Sequence, residues 1–156
     1  MQGFEGREEI KVVIFHVGQR LFAIPIEYVR EILPYQDPIS VPDSPDWLAG
    51  VIDLAGRVLP VVSLHERFDE SMDEDERHLI RLQFDDQRGA AFTTDAVTAI
   101  RVLEDEAIRD VDQLSGEMQT PLLWGAARVD NQLVLVINPE KVVDVDYIHS
   151  FAKMCE

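Results

Sequence analysis

The sequence predicts an all-β protein made of two similar small units, and three observations lead to this fold class. Short apolar runs rich in β-branched residues recur along the 156-residue chain, with turn signals between them. Helical spacing is weak by comparison and is confined to short pieces. The chain also matches itself at shifts of 68 and 75 residues, which is the pattern of a duplicated unit.

The first strand candidates lie in the N-terminal half. Residues 10–17 are almost entirely apolar and β-branched, and a turn at 18–20 leads into a second apolar run at 21–26. The next run, 58–64, contains Pro60. Because proline has no N–H to donate to a ladder, Pro60 predicts a sheet edge or a bulge there.

The second half has the same character. Apolar and polar residues alternate over 78–84, as they do in a half-buried strand. The run 133–137 is fully apolar, which predicts burial on both faces. The best helix candidates are short and lie at 46–49, 64–68, 139–143 and 146–154.

The internal repeat relates the two halves, and at its first shift Val12 falls on Ile80. Neither half alone would bury enough apolar surface, so the interface between the halves should resemble a core. The acidic stretch 69–76 has no apolar face and is the expected boundary, a solvated linker. The aligned segments are 11–33 with 79–101 at the first shift, and 47–50 with 122–125 and 58–62 with 133–137 at the second.

The composition excludes several classes of function. The formal net charge is −16, from 30 acidic against 14 basic residues, whereas phosphate binding needs clustered Lys and Arg. Neither nucleic acid nor an anionic membrane surface is therefore expected as a partner. No apolar run approaches the roughly 20 residues of a spanning helix, so membrane insertion is not expected. The N-terminus lacks a signal-peptide pattern and the single cysteine, Cys155, cannot form an internal disulfide, which together predict a cytoplasmic protein.

The sequence contains no recognisable catalytic or metal-binding motif. A calcium loop of the EF-hand kind needs glycine at its sixth position and an acid at its twelfth, but counting from Asp69 these are Glu74 and Ile80. The four histidines are far apart, and no nucleotide-binding, nucleophile-elbow or zinc pattern occurs. We therefore predict neither an enzyme nor a cofactor, and no metal site.

The segment 50–64 is the remaining candidate for a functional surface. Two β-rich arms flank a tight connection at 54–57, in which Gly56 is available for a positive φ. Gly50 falls where a close approach of backbone or of a partner excludes a side chain. Spacing alone leaves two interpretations open: a plain hairpin with a glycine at each bend, or a surface that binds a partner.

Four separated motifs, in order along the chain, resemble the CheW family of chemotaxis coupling proteins. They are F-x-V-G-x-x-x-F-A-I-P-I at 15–26, V-R-E-I-L at 29–33, V-P-D-S-P-D-W-L-A-G-V-I-D-L-A-G-R-V-L-P-V-V-S-L-H-E-R-F at 41–68, and an opening glycine followed by L-V-L-V-I-N-P-E-K-V-V within 125–143. The motifs agree with one another and with the internal repeat.

The resemblance implies a fold of two five-stranded SH3-like β-barrels that share a hydrophobic core, with short helices and a C-terminal helix. The chain would then be a single CheW-like domain. Its first barrel would span about 10–68 and its second about 78–145, with strands able to exchange between them. Residues 1–9 and 146–156 would be tails.

The resemblance also implies a function without catalysis. Members of the family are adaptors that link the cytoplasmic tip of a methyl-accepting chemoreceptor to the regulatory domain of a CheA-type histidine kinase. A cytoplasmic location would follow, with recruitment to membrane-associated or soluble receptor arrays. Whether this chain would serve flagellar chemotaxis or another pathway, such as surface motility, is left open.

In family terms, the receptor surface involves Val29, Gly50 and the Asn-Leu-Arg-Gly stretch that follows. Here that stretch reads Asp53-Leu54-Ala55-Gly56, so the family arginine is replaced by Ala55. The full set of expected partner-binding residues is Val29, Glu31, Gly50, Asp53, Leu54, Ala55, Gly56 and Arg57. We expect Gly50→Arg to abolish receptor binding and to leave thermal unfolding nearly unchanged.

The missing arginine is expected to affect Glu31, with which it pairs in the family. Arg57 lies two residues beyond Ala55, on the same face of an extended strand, and is one candidate replacement. Otherwise Glu31 is exposed and unpaired, which costs little at a surface. In that case the exchange would alter partner recognition, and the chain would couple a non-standard receptor or kinase or serve a specialised signalling array.

A second hypothesis comes from another class of protein. A small β-barrel could bind a metabolite or cation, or act as a minor enzyme through carboxylates that no motif reveals. This hypothesis predicts a deep polar pocket with convergent acids and strongly displaced pKa values. The adaptor hypothesis predicts shallow apolar patches instead.

Overall fold

The computed structural model describes residues 9–71, 77–86, 88–110 and 122–144. These ranges form strands and a few short helices, so the predicted all-β class is confirmed. Two 3₁₀ turns, Ile26–Tyr28 and Asp105–Ala107, lead directly into the strands that begin at Val29 and Ile108. The elements are β1 (Glu9–Val17), β2 (Arg20–Pro25), β3 (Val29–Pro34), β4 (Leu48–Leu54), β5 (Arg57–Val62), α1 (Leu64–Arg67), β6 (His78–Gln83), β7 (Gly89–Thr94), β8 (Val97–Glu104), β9 (Ile108–Asp110), β10 (Leu123–Val129), β11 (Gln132–Ile137) and α2 (Pro139–Val143).

The strands form two sheets, each of which draws on both halves of the chain. One sheet has the order β8-β1-β2-β11-β10-β9, and the other has the order β3-β6-β7-β5-β4. Apart from β9, which has no counterpart strand, one order becomes the other when β1 is exchanged with β6, β2 with β7, β3 with β8, β4 with β10 and β5 with β11. The two barrel-like units, called barrel A (six strands) and barrel B (five strands), are therefore related by the repeat.

Three hydrophobic clusters fill this architecture. A shared core lies between the two sheets and contains side chains of both, among them Phe15, Phe22 and Phe92, which are fully buried. Barrel A has its own interior around Val12 and Val136. Barrel B has an interior of Ile52, Leu59, Val61, Leu79 and Ala91. A core common to both units explains why their strands are exchanged rather than kept apart.

The structure corrects the sequence alignment of the first strand. The shift of 68 placed Val12 on Ile80, but Val12 faces the interior of barrel A whereas Ile80 faces the shared core. The true counterpart of Ile80 is Val13, which pairs with Ile24 as Ile80 pairs with Phe92. Because side chains alternate along a strand, a slip of one residue moves every side chain to the opposite face. The paired core positions are 11 residues apart in β1–β2 but 12 apart in β6–β7, so one shift cannot align both strands.

Two of the four predicted helices are confirmed, at α1 and α2. Their caps are equivalent: the Ser63 hydroxyl accepts the Glu66 N–H at 3.1 Å, and the Asn138 amide oxygen accepts the Lys141 N–H at 3.4 Å. The helix predicted at 46–49 is wrong. The chain turns there and enters β4 at Leu48, because the backbone pairs with β5 instead. The helix predicted at 146–154 lies outside the described residues.

Two further expectations need correction, one about the position of a strand in its sheet and one about burial. Pro60 does not mark a sheet edge, since β5 lies between β4 and β7. Proline is accepted there because the ladder to β7 begins only at Val61, beyond the missing N–H. In the apolar run 133–137, Val134 to Ile137 are buried but Leu133 is 51% exposed.

The start of the acidic stretch 69–76 is attached to the barrels rather than solvated. The Glu70 carboxylate accepts the Gln19 N–H at 2.8 Å, and it occupies the space that a Cβ on Gly18 would need. Gly18 has φ +60, so the tight turn and the close carboxylate both favour glycine. The described part of the chain contains no helix of the length and apolarity that a membrane span requires.

Candidate partner-binding surface

The predicted hairpin at 50–57 is formed by β4 and β5. Ala55 and Gly56 both have positive φ, at +51 and +85, as a two-residue turn with the right-handed strand twist requires. The Asp53 carboxylate accepts the Gly56 N–H at 2.9 Å and stabilises this turn. Asp53, Ala55 and Gly56 are exposed at the tip, while Leu54 and Arg57 are half-buried at its base. The hairpin thus presents its polar groups to solvent.

Gly50 is buried, and its missing side chain serves a backbone contact. Its φ is +146, and a Cβ would lie 2.2 Å from the carbonyl oxygen of Ile39. Ile39 pairs with β4 there as an isolated antiparallel bridge, with hydrogen bonds in both directions to Val51 at 2.8 and 2.9 Å. Gly125 repeats the arrangement in barrel A, where a Cβ would lie 2.1 Å from the Arg109 carbonyl oxygen. The geometry therefore argues against the expectation that Gly50→Arg leaves thermal unfolding unchanged.

Glu31 has a partner, Arg81, that the sequence does not predict. Glu31 lies opposite Arg81 in the β3–β6 ladder, and Arg81 Nη1 donates to Glu31 Oε1 at 2.9 Å. The Arg81 side chain is only 12% exposed, against 45% for Glu31. The expectation that Glu31 is unpaired or bound by Arg57 is therefore wrong. No sequence signal identified Arg81, because its pairing depends on the ladder between strands that are far apart in the chain.

Barrel closure brings the two parts of the predicted site towards each other. β3 and β4 are opposite edges of their sheet, but Leu33 and Leu54 pack against the same interior cluster. In barrel A a hydrogen bond joins the corresponding parts: Arg101 of β8 donates to Asp130 in the β10–β11 turn at 2.5 Å. Ala55 is the counterpart of Asp130. The tip of the hairpin and Glu31 therefore border one mouth of barrel B.

Val29 is the first residue of β3 and lies half-buried against the shared core. The strand directions place it at the same end of the sheet as the hairpin tip. Tyr28, the preceding residue, contacts the rings of Phe84 and Trp124 at centroid distances of 5.9 and 6.2 Å. Aromatic contacts with both barrels fix this end of β3, so Val29 is held where the two units meet.

The equivalent mouth of barrel A is open. A cavity of about 220 Å³ lies there, with Ile14 and Ala99 in its wall where barrel B has Arg81 and Glu31. Asp130 is the acid in its lining, and it is paired with Arg101. Among the described residues, no three His, Cys, Asp or Glu side chains form a group able to hold a metal ion. This cavity does not have the convergent acids that the ligand-binding hypothesis predicts.

A buried Asp-His-Thr set lies outside the predicted site. His65 Nε2 is 3.1 Å from Asp95 Oδ1, and His65 Nδ1 is 3.0 Å from Thr93 Oγ1, which accepts the Leu64 N–H. Asp95 Oδ2 also accepts the Gly18 N–H at 2.6 Å. All three side chains are at most 5% exposed. The set joins α1 to the end of β7 and to the β1–β2 turn, which is a structural connection.

Two displaced pKa values belong to cation–π pairs. Burial lowers the pKa of Arg67, and the nearby Asp144 opposes this effect. The Arg67 guanidinium lies 4.2 Å from the centre of the Trp47 ring. Burial, with a smaller contribution from Asp37, raises the pKa of Tyr35, and Arg77 opposes this rise. Neither Arg67 nor Tyr35 is among the predicted partner-binding residues. Arg67 Nε also donates to the Val142 carbonyl at 3.0 Å and so links α1 to α2.

Comparison with known proteins gives one consistent result. Residues 11–146 match the family model of the CheW-like domain. The chain is 28% identical to a probable chemotaxis protein CheW of Rhizobium etli over 131 residues, which cover 83% of this chain and 84% of that protein. It is 27% identical to chemotaxis protein CheW of Helicobacter pylori over 146 residues, covering 92% and 87%.

A solved structure agrees in fold. The crystal structure of a CheW scaffolding protein from Thermoanaerobacter tengcongensis superposes with a TM-score of 0.73 at 22% identity, covering 83% of this chain and 88% of that one. The two-barrel architecture described above is therefore one that a CheW protein adopts.

Proposed function

The chain belongs to the CheW family of non-catalytic chemotaxis adaptors, and from this premise we propose that it couples the cytoplasmic tip of a chemoreceptor to a CheA-type histidine kinase. The observation that carries the proposal is the family match over 11–146, which includes both barrels and the whole candidate surface. A cytoplasmic location, with recruitment to receptor arrays, is part of the same proposal.

The proposed receptor surface borders the mouth of barrel B. It comprises the start of β3, with Val29 and Glu31, and the β4–β5 hairpin from Gly50 to Arg57. The exposed hairpin tip and the half-buried Val29 offer a shallow surface with apolar and polar parts, which suits a helical tip better than a small ligand. Gly50 contributes to this surface indirectly, because the absence of a side chain allows Ile39 to lie directly beside β4.

The proposed mechanism is positional. An adaptor that holds a kinase beside a receptor lets a conformational change in the receptor favour one state of the kinase, without chemistry of its own. Individual contacts need only modest affinity, because several linked contacts in an array add avidity. The regulatory domain of the kinase is the second proposed partner.

Reconstitution tests the proposal most directly. The full chain is added to a receptor-tip fragment and a CheA-type kinase from the same organism, and kinase autophosphorylation and co-sedimentation are measured. We expect the chain to bring kinase and receptor into one complex and to make kinase activity depend on the receptor. A chain that binds neither protein at micromolar concentration would refute the proposed function.

A further inference from the structure

The outer face of barrel B carries an apolar patch beside the candidate surface. Ile52 and Leu54 point into the barrel interior, so Val51 and Asp53 lie on the outer face, because side chains alternate along a strand. Ile39 lies directly opposite Val51, and Val58 lies directly opposite Asp53. Directly opposite residues share a face. Ile39, Val51 and Val58 therefore share the outer face with Asp53, and these four residues are called the β4 patch.

The β4 patch is exposed but held in place. Ile39 is 71% exposed and Val58 is 43% exposed, although both are large apolar residues. Ile39 has the highest exposure of the large apolar side chains in the described part of the chain. Its backbone is fixed by the two hydrogen bonds to Val51, so the residue is held at a defined place beside β4. A single exposed apolar side chain is ordinary, but several apolar side chains beside a carboxylate on one face call for a reason.

Barrel A shows that the fold does not require these side chains. Arg109 occupies the position of Ile39, since it lies opposite Ala126 as Ile39 lies opposite Val51. Arg128 similarly occupies the position of Asp53. The shared architecture needs the backbone of residue 39 over a glycine, and it accepts a long basic side chain there. The fold itself therefore gives no reason for an exposed isoleucine at position 39.

We propose that the β4 patch is an anchoring site for an apolar surface with a basic side chain at its centre, on the receptor tip. The inference rests on the proposed function and names further residues that carry receptor recognition. Burial of apolar surface is the main favourable contribution in most protein association, and Asp53 supplies a charge for a basic partner group. The charge of −16 favours such a partner over an acidic one.

Calorimetric titration of a receptor-tip fragment, and separately of the kinase regulatory domain, tests this inference. We expect Ile39→Arg and Val58→Arg to weaken receptor binding at least tenfold and to leave the melting temperature and kinase binding unchanged. Leu133→Arg is the matched control, because Leu133 is 51% exposed at the position in barrel A that Val58 occupies in barrel B. Asp53→Asn keeps an oxygen for the Gly56 N–H but removes the charge, and should weaken receptor binding mainly at low salt.

The outcomes separate the inference from the proposed function. If the unmodified chain binds neither fragment, the proposed function fails. If it binds the receptor tip, and Ile39→Arg and Val58→Arg bind it within twofold of the unmodified chain, the patch is not an anchor and the inference fails. An effect confined to the kinase domain, or an equal loss in Leu133→Arg, would also overturn it.

Discussion

Replacing Gly50 by alanine should strongly destabilise the protein. The Cβ of an alanine would lie 2.2 Å from the Ile39 carbonyl oxygen, and a backbone atom cannot move away as a flexible side chain can. The substitution therefore displaces Ile39 and breaks its two hydrogen bonds to Val51, each worth about 1 kcal/mol. The φ of +146 adds about 1–2 kcal/mol of backbone strain for a residue with a side chain.

Together these contributions amount to a loss of about 3–4 kcal/mol in the free energy of unfolding. For a chain of this length each kcal/mol shifts the melting temperature by about 2–4 °C, so Gly50→Ala should melt roughly 6–16 °C lower. Urea unfolding followed by circular dichroism measures the free energy, and a thermal scan measures the shift.

Gly56→Ala is the matched control for Gly50→Ala. Gly56 also has a positive φ, of +85, but no atom lies within 4 Å of the position of its Cβ. Only backbone strain, about 1 kcal/mol, should appear in this variant. Equal losses in the two variants, or a loss below about 1 kcal/mol for Gly50→Ala, would refute the argument from close contact. Gly50 would in that case be free of close backbone contact, and its missing side chain would serve a partner instead.

Two further predictions concern stability. Ala55→Asn should raise the free energy of unfolding by about 0.5–1 kcal/mol, because asparagine tolerates the φ of +51 at the hairpin tip better than alanine does; an unchanged or lower urea midpoint would contradict this. Asp95→Ala should lower it by about 3 kcal/mol, because the carboxylate is buried and its removal leaves the Gly18 N–H and His65 without their acceptor. Urea unfolding measures the loss, with Glu104→Ala, an exposed acid, as the control; a loss below about 1 kcal/mol for Asp95→Ala would show that water replaces the carboxylate.

Local signals in the sequence predicted most of the elements and the hairpin. Alternation of apolar residues located the strands, and Ser63 and Asn138 begin the two short helices as their capping chemistry requires. The glycine at 56 indicated the turn. The resemblance to the family then supplied the arrangement of two barrels with a shared core, which strand patterns alone do not determine.

The failures share one cause, since each depended on how distant strands pair. The sequence repeat is one residue out of register along β1, because Val12 and Val13 are both apolar. They differ only in the cluster that each one faces, Val12 the interior of barrel A and Val13 the shared core. The roles of Gly50 and Ile39 depend on a contact between a loop and a strand edge. Local propensity contains no information about either, so these features became visible only in the folded chain.

The pairing of Glu31 leads to a last prediction about the exchanged arginine. Arg81 and Ala55 border the same mouth of barrel B, and in barrel A the counterpart of Ala55, Asp130, reaches across to the edge strand. An arginine at 55 should therefore reach Glu31 when Arg81 is removed. We expect Ala55→Arg to have little effect alone but to recover about 0.5–1 kcal/mol in the Arg81→Ala background, as a double-mutant cycle in urea unfolding would measure.

Receptor binding by the unmodified chain, the two single variants and the double variant separates an effect on stability from an effect on recognition. If receptor binding also falls in Arg81→Ala and returns with Ala55→Arg, a guanidinium beside Glu31 is what the partner needs, and this chain supplies it from β6 instead of from the hairpin. Additive effects of the two substitutions on unfolding would mean that residue 55 does not reach Glu31. The replaced arginine would then alter the surface offered to the receptor, and Arg81 would have a separate role in closing the barrel.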